Sequence, residues 1–123
     1  MSLRCLLVDD SARFLEAARA LLERGGVEVV GIASTGADAL SQARESAPDV
    51  VLVDLDLDGE NGFEVAHQLV GNVPAVILIS THSPEDFQEL IAASPAHGFL
   101  HKSALSARAI RDVLGDTGSP APP

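Results

Sequence analysis

VVLVDLDLDGENGFE, residues Val50 to Glu64, passes from an unbroken aliphatic run into a loop with acids on alternate positions, Asp54, Asp56, Asp58 and Glu60. The run reads as a strand, and an aliphatic strand of this kind suits a sheet covered on both faces. What the acids do is open at this point. Asp54, Asp56, Asp58 and Gly59 begin like a calcium loop of the form D-x-D-x-D-G. Asp56 to Gly59, D-L-D-G, has the form of a phosphatase nucleophile motif. A third reading makes Asp54 alone a phosphate acceptor.

The rest of the chain repeats the same rhythm on either side of this stretch. LRCLLV (Leu3 to Val8) reads as a buried strand. In the segment after it, Phe14, Leu15, Ala18, Leu21 and Leu22 recur at helical spacing until Gly25 ends the pattern. VEVVGIA (Val27 to Ala33) and ADALSQARESA give a second strand and helix, closed by Pro48. FEVAHQLV forms the helix after the acidic loop. PAVILIS (Pro74 to Ser80) is the clearest strand of all. PEDFQELIAA carries Pro84 at a favourable first helical position, HGFLHK is a short fifth strand, and ALSARAIRDVL closes the domain. Five strand-helix units predict a parallel, doubly wound α/β sheet. The domain spans residues 1–114. Residues 115–123, GDTGSPAPP, have no apolar period and read as a flexible tail or the start of a linker.

Composition narrows the function classes. A chain of 123 residues is one domain with one core's worth of apolar surface. With 46% hydrophobic but only 3% aromatic residues, that core must be aliphatic. A net charge of -10 repels a phosphate backbone, so this domain alone is not a nucleic-acid binder, and its partners are expected to be proteins, cations or small ligands. No run of 18 apolar residues offers a membrane span and no signal-peptide pattern opens the chain. The single cysteine, Cys5, lies in an apolar strand as a small hydrophobe, which fits a reducing cytoplasm. His67, His82, His97 and His101 have no metal-ligand spacing and read as solvated or satisfied side chains.

In an open parallel sheet the binding crevice lies beyond the carboxyl ends of the strands, where strand order reverses. Asp9 and Asp10 end the first strand, Asp54 the third, Ser80 with Thr81 the fourth, and Lys102 the fifth. Lys102 is also the only lysine in the chain. A flexible ammonium at a strand end is suited to pairing with carboxylate or phosphate.

With these residues the sequence resembles a response-regulator receiver domain over roughly Leu3 to Leu114. The family pattern is an acidic pair after strand one, an acceptor Asp after strand three, Ser or Thr after strand four, and Phe or Tyr three residues before a Lys on strand five. Asp9 with Asp10, Asp54, Ser80, Phe99 and Lys102 fill it. Asn61 and Gly62 match the loop after the acceptor. Leu57 and Asp58 replace its usual Met-Pro, Ser103 replaces the usual Pro after the lysine, and Thr81 is bulkier than the small residue usual after the switch hydroxyl.

The resemblance implies a flavodoxin-like sheet of order 2-1-3-4-5 and a phosphorylation-controlled switch of a two-component system. A sensor histidine kinase, or a small phosphodonor, would phosphorylate Asp54. Magnesium would be held by Asp9, Asp10, Asp54 and the backbone carbonyl of Asp56. Lys102 and Ser80 would contact the phosphoryl group, and Ser80 with Phe99 would form the switch. It further implies a protein that catalyses only its own phosphotransfer and dephosphorylation, and a possible homodimer through the face of helix four, strand five and helix five. The HKSAL ending and the tail resemble receivers joined to a DNA-binding domain in transcriptional regulators.

The competing readings fit less well. An EF-hand needs a helix before the loop and a Glu at loop position twelve, but VVLV is strand-like and that position is Val65. A haloacid-dehalogenase-like phosphatase is the stronger alternative, with a similar magnesium, Asp, Ser or Thr and Lys inventory. Its acidic metal pair follows the nucleophile, whereas Asp9 and Asp10 precede Asp54, and its usual Thr after D-x-D-G is Glu60 here.

Overall fold

The computed structural model of the protein describes residues 3–57 and 59–115. The tail beyond Gly115 and Asp58 of the calcium reading lie outside the described residues. The strands are β1 (Leu3–Val8), β2 (Val27–Ala33), β3 (Val50–Asp54), β4 (Val76–Ser80) and β5 (Gly98–His101). The helices are α1 (Ala12–Arg24), α2 (Gly36–Ser46), α3 (Gly62–Val70), α4 (Gln88–Ala93) and α5 (Ala107–Val113). All four strand pairings are parallel, as the repeated strand-helix units predict, and the order is β2-β1-β3-β4-β5, as the family resemblance implies.

Strand periodicity divides the aliphatic residues between two layers. Cys5, Leu7, Leu52, Ile77 and Ile79 pack with Leu15, Ala18 and Leu22 of α1 and Ala107 and Ile110 of α5. Leu6, Val8, Val51, Val53 and Leu78 pack with Ala39 and Ala43 of α2 and Val65, Ala66 and Leu69 of α3. Strands buried on both faces cannot alternate with polar residues, which is why they read as continuous aliphatic runs. Cys5 lies in the first layer, where burial pushes its thiol up to about 12.

Helix starts follow ordinary capping chemistry. The hydroxyls of Ser11, Thr35 and Ser106 accept from the backbone N–H groups of Phe14, Asp38 and Ala109, and Asn61 Oδ1 accepts from Phe63 N–H at 2.8 Å. Because Ser11 caps α1, Asp10 is left to point elsewhere.

Two differences from the sequence reading bear on the site. PEDFQELIAA is not one helix: Pro84–Phe87 form a 3-10 turn and only the six residues Gln88–Ala93 are α-helical. Phe87 leaves helical geometry, at φ -129° and ψ 24°, and turns its ring inward against Phe63. The fifth strand stops at His101, so Lys102 opens a second 3-10 turn, Lys102–Ala104, rather than ending the strand.

Candidate functional site

The order of strands reverses between β1 and β3, and the predicted residues gather there. Backbone hydrogen bonds carry the sheet up to the site: Asp9 N–H donates to the Ala33 carbonyl and Leu55 N–H to the Ile79 carbonyl, both at 3.0 Å. Gly62 at the start of α3 lies directly on the end of β3. A Cβ there would overlap the Asp54 carbonyl oxygen and stand 2.6 Å from Leu55 Cα, so the packing that seats the loop after β3 requires glycine.

Among the described residues the buried polar side chains are Asp9, Asp54 and Ser80. An aliphatic domain that hides only these at one strand edge is keeping polar groups where burial is costly. Lys102 joins them, its Nζ 2.6 Å from Asp9 Oδ2 and 3.5 Å from Asp54 Oδ2. The same ammonium lies 4.4 Å from the centre of the Phe14 ring, a cation-π contact that steadies the lysine from the α1 side. Asp9 Oδ1 accepts from Ser11 N–H at 2.8 Å and Asp54 Oδ1 from Asp56 N–H at 3.2 Å. Burial raises the Asp54 carboxyl above its ordinary range. The Asp9 charge adds to this, while the Asp56 N–H and Lys102 oppose it.

Asp9, the exposed Asp10 and Asp54 each place one carboxylate oxygen within 4.8 Å of the others. Asp9 Oδ2, although buried and ion-paired, has no aligned hydrogen bond. An all-oxygen, doubly or triply anionic set with an oxygen to spare fits a hard divalent cation that keeps part of its water shell. The carboxylate of Asp56 is not in this group. It faces His82 Nδ1 at 3.2 Å, so the three carboxylates that gather are those of Asp9, Asp10 and Asp54, and Asp56 is expected there only through its backbone carbonyl.

Ser80 Oγ accepts from His82 N–H at 2.9 Å and lies 3.4 Å from His82 Nδ1. The backbone N–H occupies one lone pair of the hydroxyl, and the Ser80 proton is free for a ligand when His82 Nδ1 carries a proton of its own. Phe99 is half-buried on the α2 and α3 side of the sheet, whereas Lys102 contacts Phe14 on the other side. The two side chains therefore lie on opposite faces of the sheet.

Sequence reasoning passed over two histidines. His97 is satisfied, its Nδ1 accepting from Val76 N–H. His82 instead bridges Ser80 and Asp56 across the site. His101 clamps the turn that bears Lys102: its Nε2 lies 2.7 Å from the Thr81 carbonyl, and its Nδ1 accepts from Ser103 N–H at 3.1 Å. The signal for His101 was the departure at Ser103, since a proline there could not donate that bond.

This is the class of an open α/β protein with a lysine-paired acidic centre at its switch point. The family described as the response regulator receiver domain matches residues 5–114, and the chain belongs to that family. It is 31% identical to the response regulator GacA of Pseudomonas viridiflava over 114 residues, covering 90% of this chain and 53% of that protein. It is 34% identical to the response regulator UvrY of Escherichia coli K12 over 102 residues, covering 80% and 47%. The chain thus spans about half the length of these curated relatives. Among solved structures, the signal receiver domain of NarL from Mycobacterium tuberculosis superimposes with a TM-score of 0.78 at 33% identity, covering 93% of this chain and 98% of that one. A LuxR-family two-component response regulator from Aurantimonas gives 0.79 at 29% identity, covering 94% and 84%. Neither the calcium loop nor the dehalogenase-like phosphatase finds support in these likenesses. Among the described residues no helix is long and apolar enough to cross a membrane.

Proposed function

We propose that Asp54 accepts a phosphoryl group from the phosphohistidine of a sensor histidine kinase, or from a small phosphodonor, and that the domain is switched by the resulting acyl phosphate. One Asp54 carboxylate oxygen attacks phosphorus as the bond to the donor nitrogen or oxygen breaks, and the donor leaves with that electron pair. The observation that carries this reading is the convergence of the buried Asp9 and Asp54 on the chain's only lysine at the sheet's switch point, with the buried Ser80 ending the neighbouring β4.

Burial holds Asp54 out of water, and Asp56 N–H orients its Oδ1. Lys102 would neutralise charge on the transferred group, and the Ser80 hydroxyl would turn from His82 to donate to a phosphoryl oxygen. Asp9, Asp10 and Asp54, with the Asp56 carbonyl, would hold magnesium, which when bound offsets the repulsion between an anionic nucleophile and an anionic donor. The protein turns over no other substrate. It works in the cytoplasm as the receiver part of a transcriptional regulator, with a dimer contact through α4, β5 and α5, and leaves DNA contact to another domain. Acetyl phosphate with magnesium adds one hydroxylamine-sensitive phosphoryl group, and Asp54→Asn abolishes it. Intact-mass measurement showing equal modification of the Asn variant would remove Asp54 from this role.

A further inference from the structure

Charge is distributed unevenly along this chain. Between Arg44 and Lys102 there are ten carboxylates and no Lys or Arg, while the cationic side chains cluster before and after that span. The cation-free span contains α3 and α4, and between these helices lies an apolar hollow of about 250 Å³ lined by Phe63, His67, Leu90, Ala93 and Pro95. No residue of α4 is buried, and Leu90 is 55% exposed, one of the few large apolar side chains so displayed. Leu90 also borders an acidic surface made by Glu85, Asp86 and Glu89, and Glu64 stands on the opposite rim.

This surface joins an apolar floor to an anionic border, and the floor connects to the site. Phe63, in the floor, meets Phe87 with ring centroids 6.1 Å apart. Phe87 meets the His82 ring edge-on at 5.6 Å, and His82 N–H and ring both engage Ser80 Oγ. A change in the hydrogen bonding of Ser80 thus has a packed route to Phe63, distinct from Phe99.

We infer that the α3–α4 hollow docks a cationic amphipathic helix of a protein partner, and that the state of Asp54 sets how well it docks. A helix laid between two helices inserts apolar side chains over Phe63 and Leu90 and sets its lysines or arginines against Glu64, Glu85, Asp86 and Glu89. Apolar contact supplies the affinity and charge complementarity the orientation and on-rate. A second copy of this chain is disfavoured as the occupant, because pairing this face with itself would bring two acidic rims together. The coupling rests on the phosphorylation reading above, whereas the docking does not.

The probe is a short helical peptide of leucine and lysine with its leucines on one face, titrated into 15N-labelled unmodified protein. Expected are shifts centred on Phe63, His67, Leu90 and Ala93, and affinity that falls with added salt. About a tenfold loss is expected for Leu90→Ser, which removes an exposed side chain and leaves the core intact. A leucine and glutamate peptide should not bind. Shifts centred elsewhere, or equal affinity for Leu90→Ser, overturn the docking. Concentration-dependent self-association that shifts Phe63 and His67 of α3, outside the α4, β5 and α5 face, and that Leu90→Ser abolishes would assign the hollow to a second copy and overturn it too.

For the coupling, affinity should change by about fivefold or more once intact mass shows the phosphoryl group in place. Phe87→Leu should keep peptide binding and lose that change. Equal affinity of the modified and unmodified protein overturns the coupling and leaves the docking standing. Failure of Asp54 to take a phosphoryl group would defeat the phosphorylation reading together with the coupling, with the docking still read on the unmodified protein.

Discussion

Lys102→Met tests how the acidic centre is held together. The ammonium stands between two carboxylates that are 1% and 4% exposed, and is itself only 15% exposed. At an effective dielectric constant of ~20 it attracts Asp9 at 2.6 Å by about 6 kcal/mol and Asp54 at 3.5 Å by about 5 kcal/mol. Much of that offsets the desolvation of the three groups. Removing one member of a buried pair nevertheless costs about 3–5 kcal/mol, because the remaining charge is left without compensation. For a domain of this size that corresponds to a fall in Tm of roughly 10–20 °C.

Without a bound cation, the variant relieves the repulsion by taking up a proton, and Asp54, whose carboxyl burial already raises, is the favoured place for it. The cost should therefore be largest near pH 8 and shrink as pH falls through the carboxylate range. Magnesium should raise the Tm of Lys102→Met more than that of wild type, and adding Asp54→Asn should recover at least half of the loss. Urea denaturation at several pH values, with and without magnesium, measures all of this. A cost below about 1 kcal/mol that does not change with pH would mean that the lysine and carboxylates are not mutually compensated, and the argument would fall.

Asp54→Asn alone should stabilise the protein at neutral pH. A carboxyl raised in the native state keeps its proton where the unfolded chain has released it, so wild-type stability declines as pH rises from the ordinary carboxylate range through the raised native value. The advantage of Asn should therefore grow with pH and vanish in acid, and a constant advantage in denaturation curves would refute it. Gly62→Ala should cost about 1–3 kcal/mol by driving a methyl into the Asp54 carbonyl, with slower acetyl phosphate labelling than an equally destabilised core variant. His101→Ala should slow that labelling about fivefold, the equivalent of one lost hydrogen bond. His101→Asn, whose Oδ1 can still accept from Ser103 N–H, should retain most of the rate; equal slowing of both would take the Ser103 contact out of the account.

The fold was legible because its determinants are local and periodic. Strands buried on both faces read as aliphatic runs, and Ser11, Thr35, Asn61 and Ser106 announce helix starts. Sheet order came with the family resemblance and not from periodicity. Asp9, Asp54, Ser80 and Lys102 could be found because strand ends in a parallel sheet share one edge. What sequence reasoning missed depends on side-chain direction. Nothing in the spacing of Asp56 and His82 says that they meet across two loops, nor that Phe14, an ordinary core position of α1, lies beneath the lysine. The break at Phe87 was hidden because PEDFQELIAA has helical composition, and burial of one ring against Phe63 overrides it.

The acidic centre lies on the seam between two independently packed layers. The layer of α1 and α5 fixes Lys102 through Phe14, while that of α2 and α3 presses Gly62 against the backbone of Asp54. The 3.5 Å separation of Lys102 and Asp54 is therefore a gauge of how the layers stand relative to one another. Repacking either layer far from the strand ends, with no site residue altered, should move that gauge. On the proposed function, the reactivity of Asp54 would then respond to packing changes in either layer that leave the carboxylates untouched.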